Sequence, residues 1–237
     1  MLPLSSTIQS DFESSIPRVC EVQHTDLVRI PFANHNLPRS EEEINLMVES
    51  ATKAYGEFMD ALGFDWRGDP NSMDTPRRVS NAFIREYARG CYSQTPKITA
   101  FKNTNQYDGI VAQTNIKVNS LCSHHHAPFT GLAHIAYIPS KEGKIIGLSK
   151  LNRIVEWFSL RPQVQESLTV QIAEYVDKVC EDNKGVAVLI EANHTCCSNR
   201  GPRQNSTMRT AKFLGEFQDN FYQRNEFYQL VKPHSRL

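Results

Sequence analysis

Gly185-Val-Ala-Val-Leu-Ile-Glu-Ala192 runs without a break into Asn193-His-Thr-Cys-Cys197. The first part is an apolar run of the length expected for a buried strand. Side chains alternate faces along a strand, so His194 and Cys196 are expected on one face and Cys197 on the other. A second group of soft ligands lies upstream, in Cys122-Ser-His-His-His126. The two-residue gap between Cys122 and His125 lets one turn present a thiolate and an imidazole to one ion. Mixed sulfur and nitrogen ligands suit Zn²⁺ best among the common biological metals. Cys122, His125 and Cys196 then make three ligands and leave one position for water, the count of a catalytic zinc. The plainer reading of the same residues is buried thiols and surface imidazoles, and the spacing does not separate the two.

Outward from these ligands, strands and helices alternate in blocks. Gly109 to Val118 reads as a strand leading into the Cys122 loop, and Gly131 to Pro139 as its partner. Lys141-Glu-Gly-Lys144 reads as a hairpin turn. His134 lies inside the second strand with nothing at ligand spacing, the pattern of a satisfied core histidine. Ser149 to Leu160 reads as a helix with Leu151, Ile154, Val155 and Phe158 inward, broken by Arg161-Pro162. A longer helix spans about Gln163 to Cys180, with Val164, Leu168, Ile172, Tyr175 and Val179 on one face. A last helix is expected near 218–231. Helices followed by a hairpin, two helices and a strand predict α+β architecture with antiparallel pairing, not a doubly wound parallel sheet.

Toward the N-terminus, Ser40-Glu-Glu-Glu43 carries a capping-box signal. The helix after it sets Ile44, Val48, Ala51, Tyr55, Phe58 and Leu62 on one stripe, expected to face the core, and Gly63 ends it. Thr75-Pro76 opens a second helix with Val79, Phe83 and Tyr87 four apart. Residues 1–38 show no sustained periodicity and contain Pro17, Pro31 and Pro38, which predicts a flexible arm. The expected organisation is therefore an arm over 1–38, a helical region over 39–100 and a catalytic core over 101–237.

Composition removes several classes of function. The 237 residues carry a formal net charge of +0, 40% hydrophobic and 22% charged residues, ordinary for a globular protein. A neutral balance offers no electrostatic support for nucleic acid or a membrane surface as partner. No apolar run approaches the ~20 residues of a membrane span, and Met1-Leu-Pro-Leu-Ser-Ser lacks the features of a signal peptide. Six cysteines, two of them adjacent, do not form a disulfide pattern, so a reducing, cytoplasmic setting is expected.

Near the ligands the charge is not neutral. Lys150 and Arg153 open one helix, and Arg200, Arg203 and Arg209 follow Cys196. Together they suggest a phosphate-bearing substrate. No Gly-x-x-x-x-Gly-Lys-Ser/Thr loop is present, so a bound nucleotide would be changed at another part of the molecule. An open zinc makes hydroxide available near neutral pH, and a nearby histidine can move protons. His194, two residues before Cys196, is the first candidate and His124 the second.

Cys122-Ser-His-His, Ala133-His-Ile-Ala-Tyr-Ile-Pro139, Ile146-Gly-Leu-Ser-Lys-Leu-Asn-Arg-Ile-Val155, Arg161-Pro-Gln-Val-Gln-Glu166 and His194-Thr-Cys196 with Arg200-Gly201 resemble GTP cyclohydrolase I, in order and in register. Asp74-Thr-Pro-Arg-Arg-Val79 is similar to the family as well. The resemblance implies the tunnelling fold, an antiparallel sheet backed by helices and closed into barrels by oligomerisation, here preceded by an N-terminal helical pair. It implies a ring-shaped homodecamer with sites between subunits, GTP as substrate, and formate and 7,8-dihydroneopterin triphosphate as products. By position, Cys122, His125 and Cys196 match its zinc ligands, His194 its proton-transfer histidine and His124 that histidine's neighbour. Glu166, with Gln165 before it, matches the guanine-reading position. Ser149, Lys150, Arg153 and Arg200 match groups near the ribose and triphosphate.

The chain departs from the family pattern at Ser123, where glutamate is usual, and over Asn205-Ser-Thr-Met-Arg-Thr-Ala211. Two other readings stay open: a relative that stops after ring opening or deformylation, and a non-catalytic ring with a structural zinc. The last needs a fourth protein ligand from Cys197 or His126.

Overall fold

The computed structural model describes residues 28–232. The arm expected over 1–38 lies mostly outside the described residues. The part inside is docked: Asn36 donates to the carbonyls of Gly90, Cys91 and Ser93 at 2.8–3.2 Å. The buried Arg161 guanidinium also donates to Asn34 O at 2.8 Å.

Helix α1 (Glu41–Ala61) starts at Ser40 with both reciprocal bonds of the capping box: Glu43 N–H to Ser40 Oγ, and Ser40 N–H to Glu43 Oε2. Helix α2 (Thr75–Ala82) opens on Pro76, then widens into a π-helical turn over Phe83–Tyr87 and a short α3 (Arg89–Tyr92). The expected core-facing stripe of α1 is only partly covered. Ile44 is buried, but Phe58 and Leu62 stay 53% and 52% exposed. The reason is geometric: α1 packs on α2 and its extension, not on the sheet. Tyr55, Phe58, Val79, Phe83 and Tyr87 instead line an open groove of about 840 Å³.

The main sheet has the order β5-β2-β3-β6-β7, built from β2 (Val111–Cys122), β3 (Pro128–Pro139), β5 (Pro162–Gln163), β6 (Asn183–His194) and β7 (Thr207–Gly215). All its neighbours are antiparallel except β5 beside β2. Two further strands, β1 (Ala100–Lys102) and β4 (Lys144–Ile146), pair with each other. The Lys141–Lys144 turn therefore hands the chain to a second sheet and does not close a hairpin onto β3. The mixed α+β class is as expected; β7 had no clear strand signal in the sequence.

Helices α4 (Leu148–Ser159) and α5 (Gln165–Val179) cover one face of the sheet. Leu151, Ile154, Val155, Phe158, Leu168 and Ile172 pack there against Val186, Val188 and Ile190. The alternate residues Ala187 and Leu189 meet Phe217 and Phe227 on the other face. These belong to α7 (Glu216–Asp219) and α8 (Phe221–Val231). Strand β6 is apolar and buried from Gly185 to Ile190 because both of its faces are covered there. Gly131 permits the approach of β3 to β6, since a Cβ there would lie 1.9 Å from Glu191 O. No described helix is long and apolar enough to cross a membrane.

Candidate active site

Three elements end at the same corner of the sheet. Cys122 is the last residue of β2 and His194 the last of β6; Cys196 lies in the helical turn α6 (Thr195–Ser198) that follows. Phe129, at the start of β3, pairs with His194, and Cys122 pairs with Gln163 on β5. The ligand-capable atoms of Cys122, His194 and Cys196 all lie within 4.8 Å of one another.

The turn after Cys122 is tight. Cys122 N–H donates to Ala127 O at 2.9 Å, and His126 N–H returns to Cys122 O at 2.8 Å. Ser123 N–H donates to Gln163 O at 3.1 Å, which ties the turn to the segment leading into α5. His124 keeps its Nδ1 3.5 Å from Cys122 Sγ. His125 does not join the cluster: it is exposed, and its Nε2 accepts from Arg200 at 3.1 Å. The structure thus groups the two expected thiols with His194, where the sequence reading had His125.

Cys196, not Cys197, is the thiol in the cluster, but strand alternation is not the reason. The strand stops at His194, and the turn of α6 then sets the two directions. Cys196 is buried while Cys197 is half-buried at the pocket wall. Burial, reinforced by Cys122 and Cys197 close by, pushes the Cys196 thiol up to about 11. A thiol so placed stays protonated at neutral pH unless a cation stabilises its anion. Two thiols and an imidazole at this separation fit a soft, nitrogen- and sulfur-preferring divalent metal, zinc above all.

The cluster lines a pocket of about 300 Å³ together with His124, Val164, Gln165, Glu166, Cys197, Ser206 and Met208. Glu166 is exposed in the first turn of α5. Burial lowers the pKa of His194, and the nearby Glu166 charge opposes that shift. Gln165, expected beside Glu166 on the substrate, is fully buried and directs its side chain to His194, not into open space.

Ser149, Lys150 and Arg153 are not brought to this corner. They occupy the start of α4, where the adjacent Asn152 accepts from Gln113 at 2.5 Å and Lys150 donates to Lys97 O at 3.4 Å. Gln113 and Cys122 lie toward opposite ends of β2, at most about 30 Å apart along a strand that a bulge interrupts between Gln113 and Ile116. In one chain these groups are therefore remote from the Cys122–His194–Cys196 cluster. The sequence reading missed Phe129 and Met208, which enter through strand pairing, and Ser206, which lies just before β7.

The family model for GTP cyclohydrolase I matches residues 51–232. The chain is 45% identical over 188 residues to GTP cyclohydrolase 1 of Pseudoalteromonas translucida, covering 76% of this chain and 96% of that protein. It is 41% identical over 184 residues to GTP cyclohydrolase 1 of Sulfurihydrogenibium sp., covering 76% and 92%. It is 38% identical over 203 residues to GTP cyclohydrolase 1 of Corynebacterium glutamicum, covering 85% and 99%. With the cysteine–histidine corner inside a match that spans most of its length, the chain belongs to the GTP cyclohydrolase I family.

Proposed function

We propose that the protein opens the imidazole ring of GTP by hydrolysis, releases C8 as formate and recloses the remainder as 7,8-dihydroneopterin triphosphate. The observation that carries this reading is the Cys122–His194–Cys196 cluster sharing one pocket with Glu166 in a chain of this family. Zinc would be held by Cys122 and Cys196, with His125 of the same turn as the nitrogen ligand. Bound there, it supplies the Lewis acidity that makes water nucleophilic near neutral pH.

The chain's own residues do the rest. Glu166 accepts N1–H and the exocyclic amine of guanine as a charge-assisted pair. His194 gives a proton to the purine ring nitrogen that takes the electron pair when its bond to C8 breaks. His124, against Cys122, is the second imidazole within reach. Arg200 binds phosphate beside the pocket, while Ser149, Lys150 and Arg153 serve the ribose and triphosphate of a substrate seated on a neighbouring copy.

Assembly follows from the same placement. Strand β7 is an edge, and most of β2 has a partner on one side only, so two copies can continue one sheet. The groove beside α1 leaves an apolar face for another subunit. This supports a tunnelling-fold ring, a homodecamer in the family's pattern. The five cysteines of the described residues are free, which suits a cytoplasmic enzyme.

A second reading of the metal has one observation in its favour: the 4.8 Å grouping makes His194 the nitrogen ligand. The activity itself is tested by incubating zinc-loaded protein with GTP and assaying formate and, after oxidation, pterin fluorescence. Both products are expected. Formate without pterin would mark an enzyme that stops early, and neither product overturns the reading.

A further inference from the structure

Gln165 makes a set of hydrogen bonds that has one consistent direction. The two protons of its Nε2 are shared among three acceptors, Ile190 O at 3.1 Å, Met208 O at 3.2 Å and Thr210 Oγ1 at 3.0 Å. Thr169 Oγ1 donates its single proton to the Gln165 backbone carbonyl at 2.8 Å. Thr169 must then accept from Thr210, whose Oγ1 is 2.6 Å away. Thr210, having donated, accepts from Gln165.

The amide cannot be turned round. Reversed, its oxygen would face the backbone carbonyl oxygens of Ile190 and Met208, acceptor against acceptor, from a side chain that is completely buried. Gln165 Oε1 therefore faces His194 Nε2 at 2.9 Å. An amide oxygen only accepts, so His194 Nε2 must carry a proton. The lone pair of the neutral imidazole is left on Nδ1. The ring plane is fixed separately, by the buried Phe129 stacked against it.

We infer that Gln165 is a positioning residue which holds His194 in the Nε2–H tautomer, and that Nδ1 is the nitrogen that first takes up and then hands on the proton His194 moves in the reaction. Gln165 then acts through His194: it borders the pocket but is completely buried, with its Oε1 on His194 Nε2. Thr210 and Thr169 anchor the amide, so β7 contributes to the site through a hydroxyl that never reaches the pocket. The kinetic half of this inference rests on the proposed reaction; the tautomer itself does not.

The test uses the full, zinc-loaded chain with ¹⁵N-labelled histidine, the His194 signals being identified by their loss in His194→Asn. Solid-state NMR of the parent is expected to show His194 protonated at Nε2. Gln165→Met keeps the length of the side chain and removes every polar bond. It is expected to lose that single tautomer and to lower kcat by about tenfold or more, with KM for GTP and zinc content unchanged. Thr210→Val, a gentler change, should move both readouts the same way by less, and it decides the matter if Gln165→Met does not fold. An Nδ1–H signal in the parent, an unchanged tautomer in both variants, a rise in KM with kcat preserved, or loss of zinc overturns the inference. If the parent does not turn over GTP, the tautomer measurement still decides.

Discussion

Phe129 lies flat against His194, with ring centroids 4.5 Å apart and planes 8° from parallel. Strand register makes this contact, because β3 pairs with β6 at these two residues. Phe129→Leu keeps most of the apolar volume and removes the flat platform. It should lower kcat by about tenfold, in the range of losses seen when a group orienting a reactive side chain is removed, and stability by about 1–2 kcal/mol. Steady-state kinetics with GTP and a thermal melt read both. A change confined to KM would count against an orienting role.

The two assignments of the nitrogen ligand differ in outcome. With His125 as ligand, His125→Ala loses most of its zinc by metal analysis while His194→Ala keeps it. The reverse pattern assigns the metal to the cluster as it stands, Cys122, His194 and Cys196. Cys122→Ala and Cys196→Ala should lose zinc under either assignment, and Cys197→Ala should retain it.

Ser149, Lys150 and Arg153 lie at the start of α4, away from Cys196, and the proposed assembly completes each site with groups from two chains. Arg153→Ala and Cys196→Ser should each be inactive alone. Unfolded together and refolded as a mixture, they should recover part of the parent activity, because some mixed oligomers pair an intact pocket with an intact Arg153. A mixture that stays inactive while forming hetero-oligomers by native mass spectrometry would refute shared sites.

Guanine offers two adjacent donors on its Watson–Crick edge, and adenine does not. With Glu166 in the pocket wall, turnover of GTP should exceed that of ATP by roughly a hundredfold or more in kcat/KM. Glu166→Ala should lose most GTP turnover while keeping zinc. Parent-like kinetics in that variant would move guanine recognition to another residue.

His134 is buried in β3, where desolvation holds its pKa below the ordinary 6.5, opposed by Glu191. Glu191 also pairs with Arg209, and Asn115 N–H approaches His134 Nδ1 at 3.5 Å. Below 6.5 the unfolded chain takes up a proton that the folded chain resists. Stability is therefore fully present above that pH and is lost as pH falls toward the lowered folded value. The melting temperature should drop on acidification from about pH 7.5 to about pH 5.5, less steeply in His134→Gln than in the parent. Equal slopes would place the effect elsewhere.

Local chemistry was legible in the sequence wherever it depends on neighbours along the chain. The capping box at Ser40, the inward faces of α4 and α5 and the two-sided burial of β6 are fixed by short-range spacing and apolar periodicity, and the motifs carry the family. Tertiary structure decided what depends on residues far apart in the chain. The apolar stripe of α1 reads the same whether it faces a core or a groove, since periodicity records a face and not its partner. Strand alternation picked out Cys196, the thiol that joins the cluster, yet its direction is set by a helical turn that begins where the strand ends. His125 and His194 are equivalent as letters; packing put one against Arg200 and the other between Phe129 and Gln165. The direction of the proton on His194 is set by carbonyls of β6 and β7 and by a threonine pair, partners that strand register alone brings together.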